Sequence, residues 1–287
     1  MNPALQDMLD AYRPQSPADY QNAAREVVQE IALLGLWRGG FFEHAAFYGG
    51  TALRIFHGLR RFSEDLDFTL VDAADAARLE RFLPGVATEL ESWGFTFEAD
   101  AKSGGKQTGI ESAFLKGSTQ VNLLHIGAPD RLAARLPRSQ KLRIKLEMDL
   151  DPPPGATTEA RTQLLPSPYQ VTLYDLPSLF AGKIHAVLCR GWQKRVKGRD
   201  FYDFVWYVAR SVQPNLKHLD ARMRQSGHFG GPPLSGNMVE KLLRERFAAI
   251  NFKQAAEEVR PFLTDPRELD LWSEEFFASL AARVGGG

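Results

Sequence analysis

Cysteine is nearly absent: Cys189 is the one thiol in 287 residues. That excludes an internal disulfide framework and fits a reducing compartment. No apolar run approaches the roughly 20 residues needed to cross a bilayer, and the first residues do not read as a signal peptide. Charge of one sign is not in excess either, since 35 Lys and Arg balance 35 Asp and Glu. No global basic field therefore advertises nucleic acid, and any polyanion contact must come from a local patch. Internal repeats and low-complexity tracts are missing as well. What remains is a chain 44% hydrophobic, ample for a real core. It reads as soluble, globular and mixed α/β, with one large domain or two smaller ones.

The chemistry concentrates in one stretch, Phe47-Tyr48-Gly49-Gly50-Thr51-Ala52-Leu53, continuing to Arg61-Phe62-Ser63-Glu64-Asp65-Leu66-Asp67-Phe68. It reads as a strand end, two glycines, a short helix, a loop and a second strand. Alternation within that strand puts Asp65 and Asp67 on one face and Leu66 and Phe68 on the other. Two aspartates so close repel each other unless a cation sits between them. Hard divalent ions such as Mg²⁺ take carboxylates together with substrate phosphates. A glycine pair opening a helix offers N–H groups and the positive end of the helix dipole to a phosphate. A plain turn and a solvated strand edge are the alternative readings. A phosphate seat followed by a carboxylate pair points instead to nucleotide chemistry.

Around this stretch the chain reads as follows. Residues 1–15 are a loosely attached lead-in. Ser16 as N-cap and Pro17 at N1 open a helix that ends near Gly39-Gly40, with Trp37 and Phe41 as core or interface residues. A helical pattern from Ala73 to Trp93 is expected to break or kink at Pro84-Gly85 and to end at Gly94. Phe95 to Glu98 alternates as a strand. Lys102-Ser103-Gly104-Gly105-Lys106 reads as a basic hairpin tip, either a solvated turn or a mobile loop touching a polyanion. Ile110 to Leu115 and Gln120 to Ile126 read as a second hairpin around Lys116-Gly117-Ser118, with His125 in a structural role. Arg131, Arg135, Arg138, Lys141, Arg143 and Lys145 form a basic cluster, either a solvated face or a support for a nucleic-acid backbone.

Leu142 to Leu150 alternates most cleanly, with Arg143, Lys145, Glu147 and Asp149 on one side. A two-metal phosphoryl-transfer site needs a third carboxylate on a neighbouring strand, and Glu147 and Asp149 are the candidates. Pro152-Pro153-Pro154 marks the boundary between two domains, 1–155 and 156–287. After a short strand at 170–173 the pattern turns helical. Asp175 is placed to cap a helix on which Lys183 and Arg190 point the same way. The next helix starts near Gly198 and carries Arg199, with Asp200 and Asp203 on one face. Lys194 to Arg199 is a basic turn, either solvated or placed to receive a triphosphate or an RNA end. Gly230-Gly231-Pro232-Pro233 reads as a linker. Helices follow at about 237–249, 252–263 and 270–284, with Trp272, Phe276, Phe277 and Leu280 as core and Gly285-Gly286-Gly287 expected to fray.

Gly49-Gly50-Thr51-Ala52-Leu53 followed by Arg61-x-Ser63-x-Asp65-Leu66-Asp67-Phe68 resembles the signature of the AbiEii-type nucleotidyltransferases, toxins of the polymerase-β nucleotidyltransferase superfamily. The likeness covers about residues 45–210. It implies a polymerase-β-like core with a small mixed sheet, then a helical C-terminal domain, with the site in the cleft between. It implies transfer of a nucleoside monophosphate from an NTP, with Mg²⁺, or Mn²⁺ in its place, on Asp65 and Asp67. Glu147, favoured over Asp149, completes the metal set. Gly49, Gly50, Thr51 and Ser63 bind the triphosphate, and Arg61 neutralises a phosphate or pairs with Glu64. The family's helical Lys and following Arg-Asp-x-x-Asp carry over to Lys183, Arg199, Asp200 and Asp203. Lys183 meets the phosphates, while Asp200 or Asp203 orients it or acts as base. The 3′ end of tRNA is the implied acceptor, a nearby-encoded antitoxin the implied partner and the cytoplasm the implied location. A protein or small-molecule acceptor, or an inert nucleotide- or RNA-binding module, are the competing readings.

Overall fold

Among the described residues, one mixed sheet of seven strands, in the order β3-β4-β5-β2-β1-β7-β6, draws its strands from residues 45–174. The computed structural model describes residues 2–72, 75, 77–102, 109–137, 139–191, 196–263 and 265–285. Two compact units divide it. One comprises Met1–Ala52, Phe62–Pro152 and Ala160–Leu173, the other Leu53–Arg61, Pro153–Glu159 and Tyr174–Gly287. The class is mixed α/β, as the pattern of alternating and helical segments requires. Among the described residues, no helix is long and apolar enough to cross a membrane.

The first unit opens with α1 (Pro3–Tyr12) and α2 (Pro17–Arg38). The expected loose lead-in is therefore corrected. Leu5, Met8 and Leu9, spaced i, i+3, i+4, are buried and lay α1 against α2. Helix α2 begins as expected at Ser16, whose Oγ accepts from the Asp19 N–H while Asp19 accepts from the Ser16 N–H, a reciprocal capping box. Phe41 is fully buried, whereas Trp37 stays 40% exposed. β1 (Ala45–Tyr48), α3 (Gly49–His57) and β2 (Asp65–Leu70) then follow, with β1 antiparallel to β2.

Helix α4 (Leu83–Ser92) does not break at Pro84. That residue lies in the first turn, where its missing N–H has no helical partner to lose. Ala73, Ala74 and Ala76 of the longer expected helix lie outside the described residues. Gly94 ends the segment with φ +84°. The strand expected at 95–98 is displaced: Phe95 and Phe97 are buried, but pairing starts at β3 (Glu98–Lys102). Ser103 to Lys106 of the expected basic tip lie outside the described residues.

β4 (Ile110–Ser118) corrects the second hairpin. It runs straight through Lys116-Gly117-Ser118 because these residues stay in register with Arg143, Leu142 and Lys141. Ser118 then caps α5 (Thr119–His125), so the segment expected as the returning strand is helical. The His125 ring bonds the Trp93 carbonyl at 2.7 Å, the structural role expected of it. After α6 (Asp130–Ala133), β5 (Lys141–Asp149) shows the expected alternation, and Arg138 lies outside the described residues. β6 (Thr158–Gln163) was not anticipated: it is an edge strand with little apolar content to signal it. β7 (Tyr169–Tyr174) runs parallel to β1.

The second unit is helical: α7 (Leu176–Cys189), α8 (Gly198–Ala209), α9 (Leu216–Gln225), α10 (Gly236–Ala248), α11 (Phe252–Val259) and α12 (Glu274–Gly285). Asp175 caps α7 by accepting from the Ser178 N–H at 2.9 Å. α9 was not foreseen; its buried stripe is only His218, Leu219 and Met223. α11 stops at Val259, short of the expected end, because Pro261 follows in a 3₁₀ turn. α12 starts at Glu274 rather than Asp270, after a 3₁₀ turn at Pro266–Leu269. Phe201, Phe204, Phe247, Phe252 and Phe277 form its core, with Phe252 and Phe277 stacked at 4.3 Å. Gly286 and Gly287 lie outside the described residues.

Candidate active site

In the first unit, β2 buries Leu66 and Phe68 and leaves Asp65 and Asp67 partly accessible on the opposite face. Parallel pairing with β5 sets Asp65 beside Lys145, Asp67 beside Glu147 and Thr69 beside Asp149. Residues in direct register share a face, so Glu147 lies next to the acid pair while Asp149 sits one step beyond it. The Lys145 ammonium is 2.6 Å from Glu147 Oε1, and Ser112 Oγ approaches the same oxygen at 3.5 Å. Three carboxylates on one face supply an all-oxygen donor set that suits a hard divalent cation.

The glycine turn is built around Asp67. Gly49 has φ +82°, and a Cβ there would lie 2.3 Å from Asp67 Oδ2. A side chain at this position would collide with the carboxylate and strain the backbone together. Thr51 acts as a tie instead. Its side chain is buried and its hydroxyl donates to the Asp65 carbonyl, fastening α3 to the start of β2. Gln29, fully buried on α2, donates to the carbonyls of Ser63 and Glu64 at 3.3 and 3.0 Å and so holds the loop that delivers β2. Gly50 lies in the first turn of α3.

In the second unit a charge network joins Arg61, Lys183, Asp200 and Asp203, with the half-exposed Arg190 at its edge. Arg61 grips Asp203 with both ends of its fork, Nε to Oδ1 and Nη2 to Oδ2, each at 2.6 Å. Lys183 Nζ lies 2.7 Å from both Asp200 Oδ1 and Asp203 Oδ2. Arg190 closes on Asp200 Oδ2 at 2.7 Å. Burial works to raise the Asp200 carboxyl, but the charges of Lys183 and Arg190 outweigh it and hold the group below the usual carboxylate range. Burial likewise opposes the Arg61 charge, yet Asp203 raises its pKa further. Arg199 turns elsewhere: its backbone N–H donates to Glu258, and its guanidinium stands 4.2 Å over the Phe262 ring. Lys194 and Arg195 of the basic turn lie outside the described residues.

A family profile described as "Nucleotidyl transferase AbiEii toxin, Type IV TA system" matches residues 31–281, most of the chain. The protein belongs to the AbiEii nucleotidyltransferase toxin family. The AbiEii assignment makes it a nucleotidyltransferase, an enzyme class that uses a nucleoside triphosphate and a divalent metal. The same family implies an antitoxin partner. Two solved Helicobacter pylori structures share the fold. JHP933 has a TM-score of 0.50 at 15% identity, with 92% of each chain covered. A "putative nucleotidyltransferase" has a TM-score of 0.52 at 15% identity, covering 91% of this chain and 93% of its own. No curated protein matches the sequence.

Against the AbiEii motif, the structure brings Asp65, Asp67 and Glu147 to one face and gathers Lys183, Asp200 and Asp203 into one network. Sequence reasoning did not place Lys145 and Ser112 beside Glu147, or Gln29 against the loop before β2. Lys145 had a legible signal, since it alternates with Glu147 on the same side of β5. Gln29 and Ser112 had none. Arg190 was legible only as a partner in direction for Lys183, two helical turns away.

Proposed function

We propose that this protein is a Mg²⁺-dependent nucleotidyltransferase that adds a nucleoside monophosphate to the 3′ end of tRNA, acting in the cytoplasm as the toxin of its antitoxin pair. Mn²⁺ can stand in for Mg²⁺ on the same oxygen donors. The observation that carries the reading is the register of Asp67 with Glu147, beside Asp65 and over Gly49. Asp65, Asp67 and Glu147 would hold the metal. Bound there, it would neutralise phosphate charge and polarise the α-phosphate.

An acceptor hydroxyl oxygen attacks the α-phosphorus. The bond from that phosphorus to the bridging oxygen breaks, pyrophosphate leaves and the hydroxyl proton passes to solvent. Such chemistry needs positioning and charge neutralisation more than covalent help. Gly49 and Gly50, at the start of α3, are assigned to phosphate through their N–H groups, and Ser63, in the loop before β2, is assigned to the triphosphate as well. Lys183 is assigned to the phosphates as a compact cation on the strength of the AbiEii likeness. Asp200 and Asp203 are assigned the orienting role rather than that of base, because each already accepts from two cations. Arg61 holds Asp203, and Arg199 and Thr51 serve the framework.

The test is incubation with each NTP labelled at the α-phosphate, Mg²⁺ and total tRNA, comparing wild type with Asp65→Ala and Lys183→Ala. Label on tRNA with wild type alone supports the proposal. Label on a protein or small molecule instead replaces the acceptor, and metal-dependent NTP binding without transfer to any acceptor overturns the catalytic reading.

A further inference from the structure

Helix α7 has a second polar edge that the transfer site does not use. At about 100° per residue, Lys183 and Arg190 share one side, and both reach Asp200. His185 and Cys189, four residues apart, share a different side. There they meet His228, which follows α9 beyond the turn at Ser226 and Gly227. The ligand atoms of His185, Cys189 and His228 all lie within 4.8 Å of one another. Ser226 Oγ marks the point of convergence, bonded to His185 Nε2 at 2.9 Å and to His228 Nδ1 at 3.0 Å.

We propose that His185, Cys189 and His228 form a zinc site. Two imidazoles and one thiolate are a donor set for a borderline-soft divalent ion, with a water in the fourth position. Bonds of 2.0–2.3 Å to a tetrahedral ion set ligand atoms about 3.5 Å apart. Small rotations from the present arrangement reach that spacing, with the ion taking the place of the Ser226 hydroxyl between the rings. The thiol proton leaves to solvent as the sulfur–zinc bond forms, and both imidazoles bind neutral. Arg222 and Arg246 are the cations whose charge bears on Cys189. Burial outweighs them and pushes the Cys189 thiol up to about 11, and both cations oppose the metal's charge, so the site is weaker than a closed four-ligand one. Arg246 is turned toward backbone, donating to the carbonyls of Val187 and Arg190 at 3.0 and 2.8 Å. The zinc would clip the end of α9 to α7, the helix that carries Lys183.

The test uses the full chain without a histidine tag, stripped with chelator and titrated with zinc in excess Mg²⁺. We expect one zinc per chain, with binding weakened about a hundredfold or more in Cys189→Ser and in His228→Ala, and unchanged in Asp65→Ala. His228 is exposed, so its replacement leaves the fold intact, as circular dichroism would verify. Thermal midpoints should rise with zinc in wild type and not in the two variants. Cobalt in place of zinc should give a thiolate charge-transfer band that Cys189→Ser lacks. Substoichiometric zinc, equal binding by His228→Ala, loss of zinc in Asp65→Ala, or a cobalt spectrum without the thiolate band would each overturn the proposal.

Discussion

Gly49 and Asp203 show how single residues constrain the acid face of the first unit and the charge network of the second. At Gly49 the positive φ and the approach of Asp67 act together. Gly49→Ala should cost only about 1–2 kcal/mol in backbone strain, while moving the Asp67 carboxylate. Because a displacement of about 1 Å can cost a hundredfold in rate, transfer activity should fall by about that factor. Turnover at saturating NTP alongside urea unfolding separates the two effects, and unchanged turnover would remove Gly49 from the site. Asp203 is fully buried between Arg61 and Lys183. Asp203→Asn removes the buried carboxylate that Arg61 grips and one of the two that Lys183 meets, a loss of about 3–5 kcal/mol that chemical denaturation would register. A loss below about 1 kcal/mol, the worth of an exposed pair, would mean water or another acid takes its place.

At the scale of elements, helix ends and close approaches decide how the second unit assembles. Gly198 opens α8 directly against α11: a Cβ there would stand 1.8 Å from the Ala255 carbonyl oxygen and 2.7 Å from its carbon. Neither backbone atom can step aside as a side-chain tip would, so Gly198→Ala must push α8 and α11 apart. We expect a loss of at least about 1–3 kcal/mol, read as a lower urea midpoint; an unchanged midpoint would show that the contact is slack. Asp175 caps α7 and also accepts from the Thr157 hydroxyl at 2.5 Å. Its replacement by alanine should cost about 1 kcal/mol in the same measurement.

For the whole molecule, buried ionisable groups make stability a function of pH. His218 is fully buried against Tyr174, with Nδ1 3.2 Å from the Pro154 carbonyl. Burial first, then the charge of Arg222, lowers its pKa from 6.5 to about 4. Between those values the unfolded chain holds a proton that the folded chain refuses, so its contribution is complete above about pH 6.5 and drains away toward about pH 4. Asp200 adds the same sign lower down, present above 3.8 and lost as pH falls through its depressed folded value. Urea midpoints at about pH 7.5 and about pH 5 should therefore differ, and His218→Gln should narrow the difference. An equal difference in both proteins would assign the slope to other groups.

Local chemistry was legible because its causes are neighbours in sequence. The alternation of Asp65 and Asp67, the Ser16 and Asp175 caps, the glycine turn and the strand bearing Glu147 each follow from a few adjacent residues. So does the pairing in direction of Lys183 with Arg190. Misreadings arose where a local signal met a nonlocal partner. Lys116-Gly117-Ser118 reads as a turn, but pairing with β5 keeps it a strand. β6 has no apolar alternation and exists because β7 offers it an edge. Choice among partners was beyond sequence altogether. Arg61 meets Asp203 across 142 positions, and Glu147 rather than Asp149 stands beside Asp67 only through the β2–β5 register. Sequence determined which groups could do the chemistry. Tertiary structure decided which of them meet, because such contacts depend on long loops closing and whole elements packing, and no short window of residues contains that information.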